Sequence, residues 1–324
     1  MNIVVTGGAG FIGSCFVWKL NQSGEKEIII VDQAGADKEW GNLQGKVYFD
    51  YLEKELFIGK IKAKTFDPQV KAIFHIGACS STTEQNEAYL KKNNFEYSRI
   101  LCEWALDHNI PFYYASSAAT YGDGRQGYSD ADAQMTNLKP LNLYGQSKQQ
   151  FDLWLLENKL TDKVVGFKYF NVYGPNEYHK GDMRSMVLKG FEQAKRDGVI
   201  RLFKSYRPDY KDGEQKRDFV YIKDVIEIMY SFYTNGKVKG IYNVGTGQAR
   251  SWNDLAKAIF AALGLPPNIE YIEMPEIIRD KYQYFTQADL SKLKKTGLPV
   301  KFTPLEVAVA DYVKTYLNEG FKRL

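Results

Sequence analysis

Apolar residues fall into short unbroken runs, separated by longer stretches in which they recur every three or four positions. The runs are Ile3-Val4-Val5, Ile28 to Val31, Lys71 to Ala78, Pro111 to Ala115 and Val164 to Phe170. Their length and β-branched content predict strands buried on both faces. Helical spacing begins at Phe11 and Ile12, covers Asp50 to Lys62 and Glu84 to Asp107, and runs from Tyr144 through Leu156. This alternation predicts an α/β fold, a doubly wound parallel sheet of Rossmann type. Past Pro175 the rhythm loosens into a helix at Met183 to Arg196, a short strand at Leu202-Phe203 and a polar loop or lid at Lys204 to Lys216. A strand-like Arg217 to Tyr221, a helix at Asp224 to Tyr233 and a strand at Ile241 to Gly245 return the chain to the sheet. Ser251, with Asp254 as the acid of a capping box, opens a helix to Leu263, and a last helix lies near Pro304 to Leu317. The organisation expected is a dinucleotide-binding domain of residues 1–172 plus 217–248 and a smaller mixed α/β substrate-binding lobe of 173–216 plus 249–324.

The first strand runs into glycines at 7, 8, 10 and 13 before the helix starts. Gly8, Gly10 and Gly13 satisfy G-x-G-x-x-G, and Gly7, Gly10 and Gly13 fit G-x-x-G-x-x-G. Such glycines allow a tight turn, a bare backbone against a pyrophosphate and close packing of helix on strand. The helix then aims its unpaired N–H groups at the phosphates. The second strand ends at Asp32, 19 residues after Gly13, where a carboxylate can accept from an adenosine ribose. Lys38 and Lys54 are candidates for a 2′-phosphate, or two solvated surface lysines. His75, inside the third apolar run, reads as a satisfied core histidine. Asn93 and Asn94 interrupt a predicted helix, so one of them is expected to hydrogen-bond to a neighbouring loop or to a cofactor.

Composition narrows this little. The 324 residues are 44% apolar and 25% charged, with a net charge of +4, as in an ordinary globular chain. No isolated basic block points to nucleic acid. Cys15, Cys79 and Cys102 lack C-x-x-C spacing, which argues for a reducing compartment without structural disulfides or a metal site. No run reaches membrane-span length and Met1 leads straight into the first strand, so a cytoplasmic location is expected.

The chemistry gathers after the fourth strand. Ser116-Ser117-Ala118-Ala119-Thr120-Tyr121-Gly122 stands at its carboxyl end, where open α/β sheets bind ligands. Tyr144 and Lys148 follow, four apart on one helix face. A phenol is a poor base at neutral pH, and a neighbouring ammonium together with a cationic nicotinamide would lower its pKa. Strand-end serine, tyrosine, lysine and glycine turn together point to dehydrogenase-type chemistry. His179-Lys180-Gly181 lies in a loop, where a lysine is usually solvated surface.

With these residues the chain resembles the extended short-chain dehydrogenase/reductases that act on nucleotide sugars. The resemblance is carried by TGGAGFIGS (6–14), FHIGACSSTTE (74–84), PFYYASSAATYG (111–122), PLNLYGQSK (140–148), VVGFKYFNVYGP (164–175), HKG (179–181), KRDFVY (216–221) and YQYFTQADL (282–290). ACSSTTE, HKG and FTQADL are similar to its heptose-modifying branch. The resemblance implies a bound NADP that oxidises C6 of an ADP-linked heptose and returns hydride to the opposite face, in lipopolysaccharide core biosynthesis. It implies Tyr144 and Lys180 as acid/bases, Lys148 tuning the tyrosine and Ser117 bonding the reacting oxygen. On the cofactor side it implies Gly7, Gly10, Phe11, Ile12, Gly13, Asp32, Gln33, Lys38, Lys54, Ile76, Gly77, Ala78, Cys79, Ser80, Asn93, Tyr144, Lys148, Val172 and Lys180. On the substrate side it implies Ser80, Ser117, Asn171, Asp182, Lys189, Phe203, Lys204, Ser205, Tyr206, Arg217 and Tyr282, with Arg217 suited to the diphosphate. It also implies a homo-oligomer, with pentamers known in the family.

Gln33, Lys38 and Ile76 depart from the family pattern, as do Asp182 and Lys189. Asp32 alone favours NAD through the ribose, so NADP and NAD both stay open. Rival readings are a UDP-hexose 4-epimerase, which leaves Lys180 without a task, and a 4,6-dehydratase, opposed by Ala118 and Ala119 where an acid pair is needed. A non-catalytic cofactor sensor is opposed by the intact Ser117, Tyr144 and Lys148.

Overall fold

A computed structural model describes residues 1–33, 40–66, 69–279 and 282–324. Seven parallel strands form the central sheet in the order β10-β6-β5-β4-β1-β2-β3. They are β1 (Asn2–Thr6), β2 (Ile28–Asp32), β3 (Asp50–Glu53), β4 (Val70–His75), β5 (Phe112–Ser117), β6 (Val165–Tyr169) and β10 (Gly240–Val244). Strand order reverses between β1 and β4, and a crevice opens at the carboxyl ends of such a pair. Alternate residues of each strand serve opposite faces. Ile3 and Val5 of β1 join the core that contains Phe16, Val17 and Leu20 of α1 (Phe11–Gln22), whereas Val4 joins the one containing Phe57, Ile58 and Ile61 of α2 (Lys54–Lys62). The predicted Rossmann-type sheet is therefore present, with helices on both faces.

Asp50 to Lys62 was expected to be all helix, but its first four residues pair with β2 as the edge strand β3. An edge strand has no apolar run to announce it, and four residues are too few to distinguish one period from another. Glu53 then caps α2, its carboxylate accepting from Glu55 N at 2.7 Å and Leu56 N at 3.1 Å. The long helix expected from Glu84 starts at Glu87, passes through a π-helical stretch at Lys91–Glu96, and becomes regular in α3 (Tyr97–Asp107). The fourth apolar run extends two residues further than its composition suggested, so Ser116 and Ser117 are inside β5 and paired with β6.

After β6 the chain leaves the main sheet. β7 (Asn171–Tyr173), β9 (Lys216–Tyr221) and β11 (Ala249–Ser251) make a second sheet in the order β11-β9-β7. β8 (Ile200–Phe203) and β12 (Ile269–Ile272) pair in parallel as a third. The intervening helices are α4 (Leu143–Glu157), α5 (Met186–Asp197), α6 (Ile222–Asn235), α7 (Trp252–Leu263) and α8 (Leu305–Asp311). Ser251 and Asp254 form the predicted capping box at the start of α7. Among the described residues no helix is long and apolar enough to cross a membrane, and no His/Cys/Asp/Glu cluster could hold a metal ion.

A buried ion pair locks α4 onto the sheet. Asp152 and Lys168 have side chains with 0% exposure and meet at 2.5 Å. The carboxylate also accepts from Tyr114 Oη and Ser116 Oγ, both at 2.7 Å, and Lys168 Nζ donates to Thr120 Oγ1 at 2.9 Å. Removing one member strands the other charge in the interior. Lys168→Met is therefore expected to lower unfolding free energy by about 3–5 kcal/mol, measured by urea denaturation. A loss under about 1 kcal/mol would contradict this role for the pair.

Candidate active site

The crevice between β1 and β4 holds a cleft of about 700 Å³. Its floor is the glycine turn. Gly7 has φ +67°, and a Cβ there would stand 2.6 Å from the backbone of Gly77. A Cβ on Gly13 would lie 2.0 Å from Gly7 O, so helix and turn touch backbone to backbone. Gly10 is the N-cap of α1 and supplies no side-chain cap, which leaves first-turn N–H groups for an anionic ligand. Asp32 braces this turn: one carboxylate oxygen accepts from Ala9 N and the other from Gln33 N, each at 2.8 Å. Burial raises its pKa, and these backbone bonds and Lys54 oppose the rise. A backbone cradle that side chains would fill, with a carboxylate at its far end, fits a nicotinamide dinucleotide.

Asn93 and Asn94 justify their position in a helix. The π-helical stretch turns Asn94 inward, and its amide accepts from Cys79 N at 2.8 Å and donates to Cys79 O and Ser147 Oγ, both at 2.9 Å. The loop from Ile76 to Ser80 is thereby fixed along the cleft wall. Asn93 Oδ1 accepts from Lys54 Nζ at 2.9 Å, and both line a smaller adjoining pocket with Asp32 and Gln33. His75 is the core histidine expected, bonded to Thr6 Oγ1 at 2.7 Å and Ser98 Oγ at 2.8 Å. Lys38 lies outside the described residues.

Ser117, Tyr144, Lys148 and Lys180 all line the one cleft. Asn142 caps α4 by accepting from Gly145 N at 2.8 Å, which sets Tyr144 and Lys148 in the first two turns. Burial raises the Tyr144 phenol above its ordinary pKa, and a hydrogen bond with Ser117 offsets part of the rise. Lys148, expected to lower this phenol together with a cationic nicotinamide, donates its ammonium to Ala115 O at 2.8 Å. Desolvation is the largest influence on this phenol in the protein alone, and the positive charge of a bound nicotinamide would oppose it. Burial also lowers Lys148, to about 8, against the pull of Asp152 one turn along.

Lys180 arrives from the loop after β7. Its ammonium stands 5.3 Å from the centroid of the Phe11 ring, beside the glycine turn. Burial lowers its pKa and Glu177 resists. Glu177 is itself fully buried, accepting from Ser185 Oγ at 2.7 Å and Gly174 N at 3.2 Å as well as from Ser185 N.

Of the expected substrate residues, Ser80, Ser117 and Asn171 line the cleft, as does Val172, expected on the cofactor side. Phe203, Arg217 and Tyr282 gather beside it. The Arg217 guanidinium lies 5.1 Å from the Tyr282 ring and 5.7 Å from Trp252, a cleft residue whose Nε1 donates to Tyr282 Oη at 2.9 Å. Phe203 packs edge-on to Tyr282 at 6.3 Å. Trp252 carried no sequence signal, because nothing in a helix start marks the aromatic partner of an arginine. Lys204 is paired with Glu273 at 2.6 Å, Tyr206 bonds the same carboxylate, and Ser205 N donates to Asp212 Oδ1 at 2.7 Å. Lys189 is occupied with the backbone carbonyl of Asp182 at 2.5 Å. These five are not among the cleft-lining residues.

The model of the NAD dependent epimerase/dehydratase family matches residues 3–245. An ADP-L-glycero-D-manno-heptose-6-epimerase of Nitratidesulfovibrio vulgaris strain DP4 is 52% identical over 314 residues, 97% of each chain. One of Fusobacterium nucleatum is 46% identical, covering 97% of this chain and 98% of the relative. Among solved structures, the Helicobacter pylori ADP-L-glycero-D-manno-heptose-6-epimerase superposes with a TM-score of 0.80 at 29% identity, covering 97% of this chain and 95% of that one.

Lys148 gives a signed prediction. Its folded pKa of about 8 lies below the ordinary 10.5, so the fold carries a charging penalty below pH 8 that fades as pH rises toward 10.5. In denaturation measurements the stability of Lys148→Met relative to the parent should therefore be most favourable near neutral pH and fall as pH rises through that window, on top of a pH-independent cost for the lost bond to Ala115 O. A stability difference that does not change with pH, or that changes in the opposite sense, would contradict the burial argument.

Proposed function

The chain belongs to the NAD dependent epimerase/dehydratase family, and on that premise we propose that it converts ADP-D-glycero-β-D-manno-heptose to ADP-L-glycero-β-D-manno-heptose. The inversion proceeds by oxidation of C6 to a ketone and reduction from the other face. The observation that carries this reading is Lys180, a second proton-transfer group from a separate loop that lines the same cleft as Tyr144. A 4-epimerase employs Tyr144 and Ser117 but gives Lys180 nothing to do. Close curated relatives carry the heptose epimerase name at 46–52% identity.

The two proton groups answer a geometric need. The oxygen on C6 points in different directions before and after inversion, and one fixed phenol cannot serve both positions. A nicotinamide dinucleotide held by the glycine turn and Asp32 would supply the hydride acceptor and donor for C6. Tyr144, as phenolate, takes the hydroxyl proton while Ser117 holds the oxygen. Lys180, whose buried ammonium releases its proton more readily than a solvated one, protonates the oxygen of the inverted alcohol. One turnover leaves Tyr144 protonated and Lys180 neutral, the states that serve the reverse reaction. Arg217, packed against the rings of Tyr282 and Trp252, offers guanidinium N–H groups to the diphosphate.

For the cofactor, NADP is the finer reading. It is supported by Lys54, which stands with Asp32 and Gln33 in the pocket adjoining the cleft and is fixed there by Asn93.

Incubation with ADP-D-glycero-β-D-manno-heptose, followed by proton NMR, should give a mixture of the two C6 epimers. Tyr144→Phe and Lys180→Ala should each slow this by at least about a hundredfold while nicotinamide cofactor stays bound through gel filtration. Denaturation should release NADP. Full activity in the lysine variant would remove the second acid/base, release of NAD would overturn the NADP reading, and faster turnover of UDP-galactose would replace the heptose.

A further inference from the structure

Lys180 is useful only if its ammonium stands at a fixed distance from the glycine turn that carries the cofactor. Two buried asparagines connect the pieces. Asn42, 1% exposed, sits in the short 3₁₀ turn Gly41–Leu43. Its Nδ2 lies 3.0 Å from Ala9 O, 3.1 Å from Asn176 O and 3.2 Å from His179 Nδ1. Ala9 belongs to the glycine turn, and His179 is the residue before Lys180. On its other side, Asn42 Oδ1 accepts from Arg323 Nε at 3.0 Å. Asn176 is fully buried with φ +76°, and its side chain donates to Ser14 Oγ in the first turn of α1 at 2.9 Å. Burial, aided by the charge of Lys180, pushes the His179 imidazole down to about 4, so the ring is neutral near pH 7, and Nδ1 accepts only in the tautomer that carries its proton on Nε2.

An amide has two N–H donors, and here two carbonyl oxygens from different parts of the chain, Ala9 O and Asn176 O, converge on them, with His179 Nδ1 beside the same nitrogen. The contacts are satisfied only while the cofactor turn and the lysine loop keep one register. We propose that Asn42 is a positioning residue that sets the place of Lys180 against the cofactor turn by bridging Ala9 to Asn176 and His179. This rests on the reading of Lys180 as the second acid/base. Asn42 lines neither the cleft nor its adjoining pocket. It acts through Lys180 and touches no reactant.

Asn42→Ala should lower kcat by about tenfold to a hundredfold and change KM for the ADP-heptose less than about threefold, with cofactor retained. In a Lys180→Ala background the same substitution should cost less than about twofold more, because the group it positions is already gone. Independently of turnover, Lys180 should react at least about fivefold faster with an amine-labelling reagent, read by peptide mass spectrometry, because a displaced side chain is less buried. Arg323→Ala leaves the buried amide in place and should move kcat and labelling in the same directions by a smaller factor. That variant decides the question if Asn42→Ala does not fold. A kcat within about twofold of the parent, penalties that multiply with Lys180→Ala, or unchanged labelling overturns the proposal. Altered labelling in a protein that does not act on ADP-heptose would sink the activity and keep the positioning. Full activity with unmoved labelling would do the reverse.

Discussion

The site depends on one backbone contact. Gly7 and Gly77 end adjacent parallel strands and approach so closely that a Cβ on Gly7 would stand 2.6 Å from Gly77, and one on Gly77 2.9 Å from Gly7. No pair of side-chain-bearing residues fits there. The contact brings the turn after β1 and the loop after β4 into one wall at the point where strand order reverses, and every other group in the cleft is placed relative to that wall. Asp32 braces it from the β2 side and Asn94 from the helical side, both through bonds to backbone. Backbone partners make the cradle stiff, since a peptide group held at both ends cannot rotate away as a side chain can.

Around that wall the protein accepts a desolvation cost. Tyr144, Lys148 and Lys180 are all shifted toward their neutral forms by burial. For the proton removal proposed for Tyr144 this is the wrong direction, and for the proton release proposed for Lys180 it is the favourable one. On that proposal the tyrosine would be activated by the positive charge of a bound nicotinamide and be less reactive without it.

Much of this was legible in the sequence because it is local. The glycine spacing, the carboxylate at the end of β2, the serine at the end of β5 and the Tyr144–Lys148 pair are set by strand ends and one helix face, which periodicity reveals. Edge strand β3 was not legible, because an exposed strand of four residues looks like the start of the helix that follows it. The π-helical turn at Lys91–Glu96 was visible only as two unfavourable asparagines, and the sequence could say that one of them had a partner without saying which. Trp252, Asn42 and Arg323 had no signal at all. Their roles come from residues far apart in the chain meeting in space, as when Arg323 reaches Asn42 across 281 positions. The resemblance to nucleotide-sugar enzymes named Arg217 and Tyr282, but only the fold shows the contacts with Trp252 that hold them beside the cleft.

The central claim is that C6 is dehydrogenated and rehydrogenated in place, with hydride never leaving the cleft. The most direct measurement is to give the enzyme ADP-heptose carrying deuterium at C6, in ordinary water, and to follow the label in the epimerised product by NMR and mass spectrometry. The account predicts that the product keeps its deuterium at C6, since the same hydride departs and returns. Replacement of that deuterium by solvent hydrogen would contradict it, and would mean that the carbon is inverted by deprotonation rather than by oxidation.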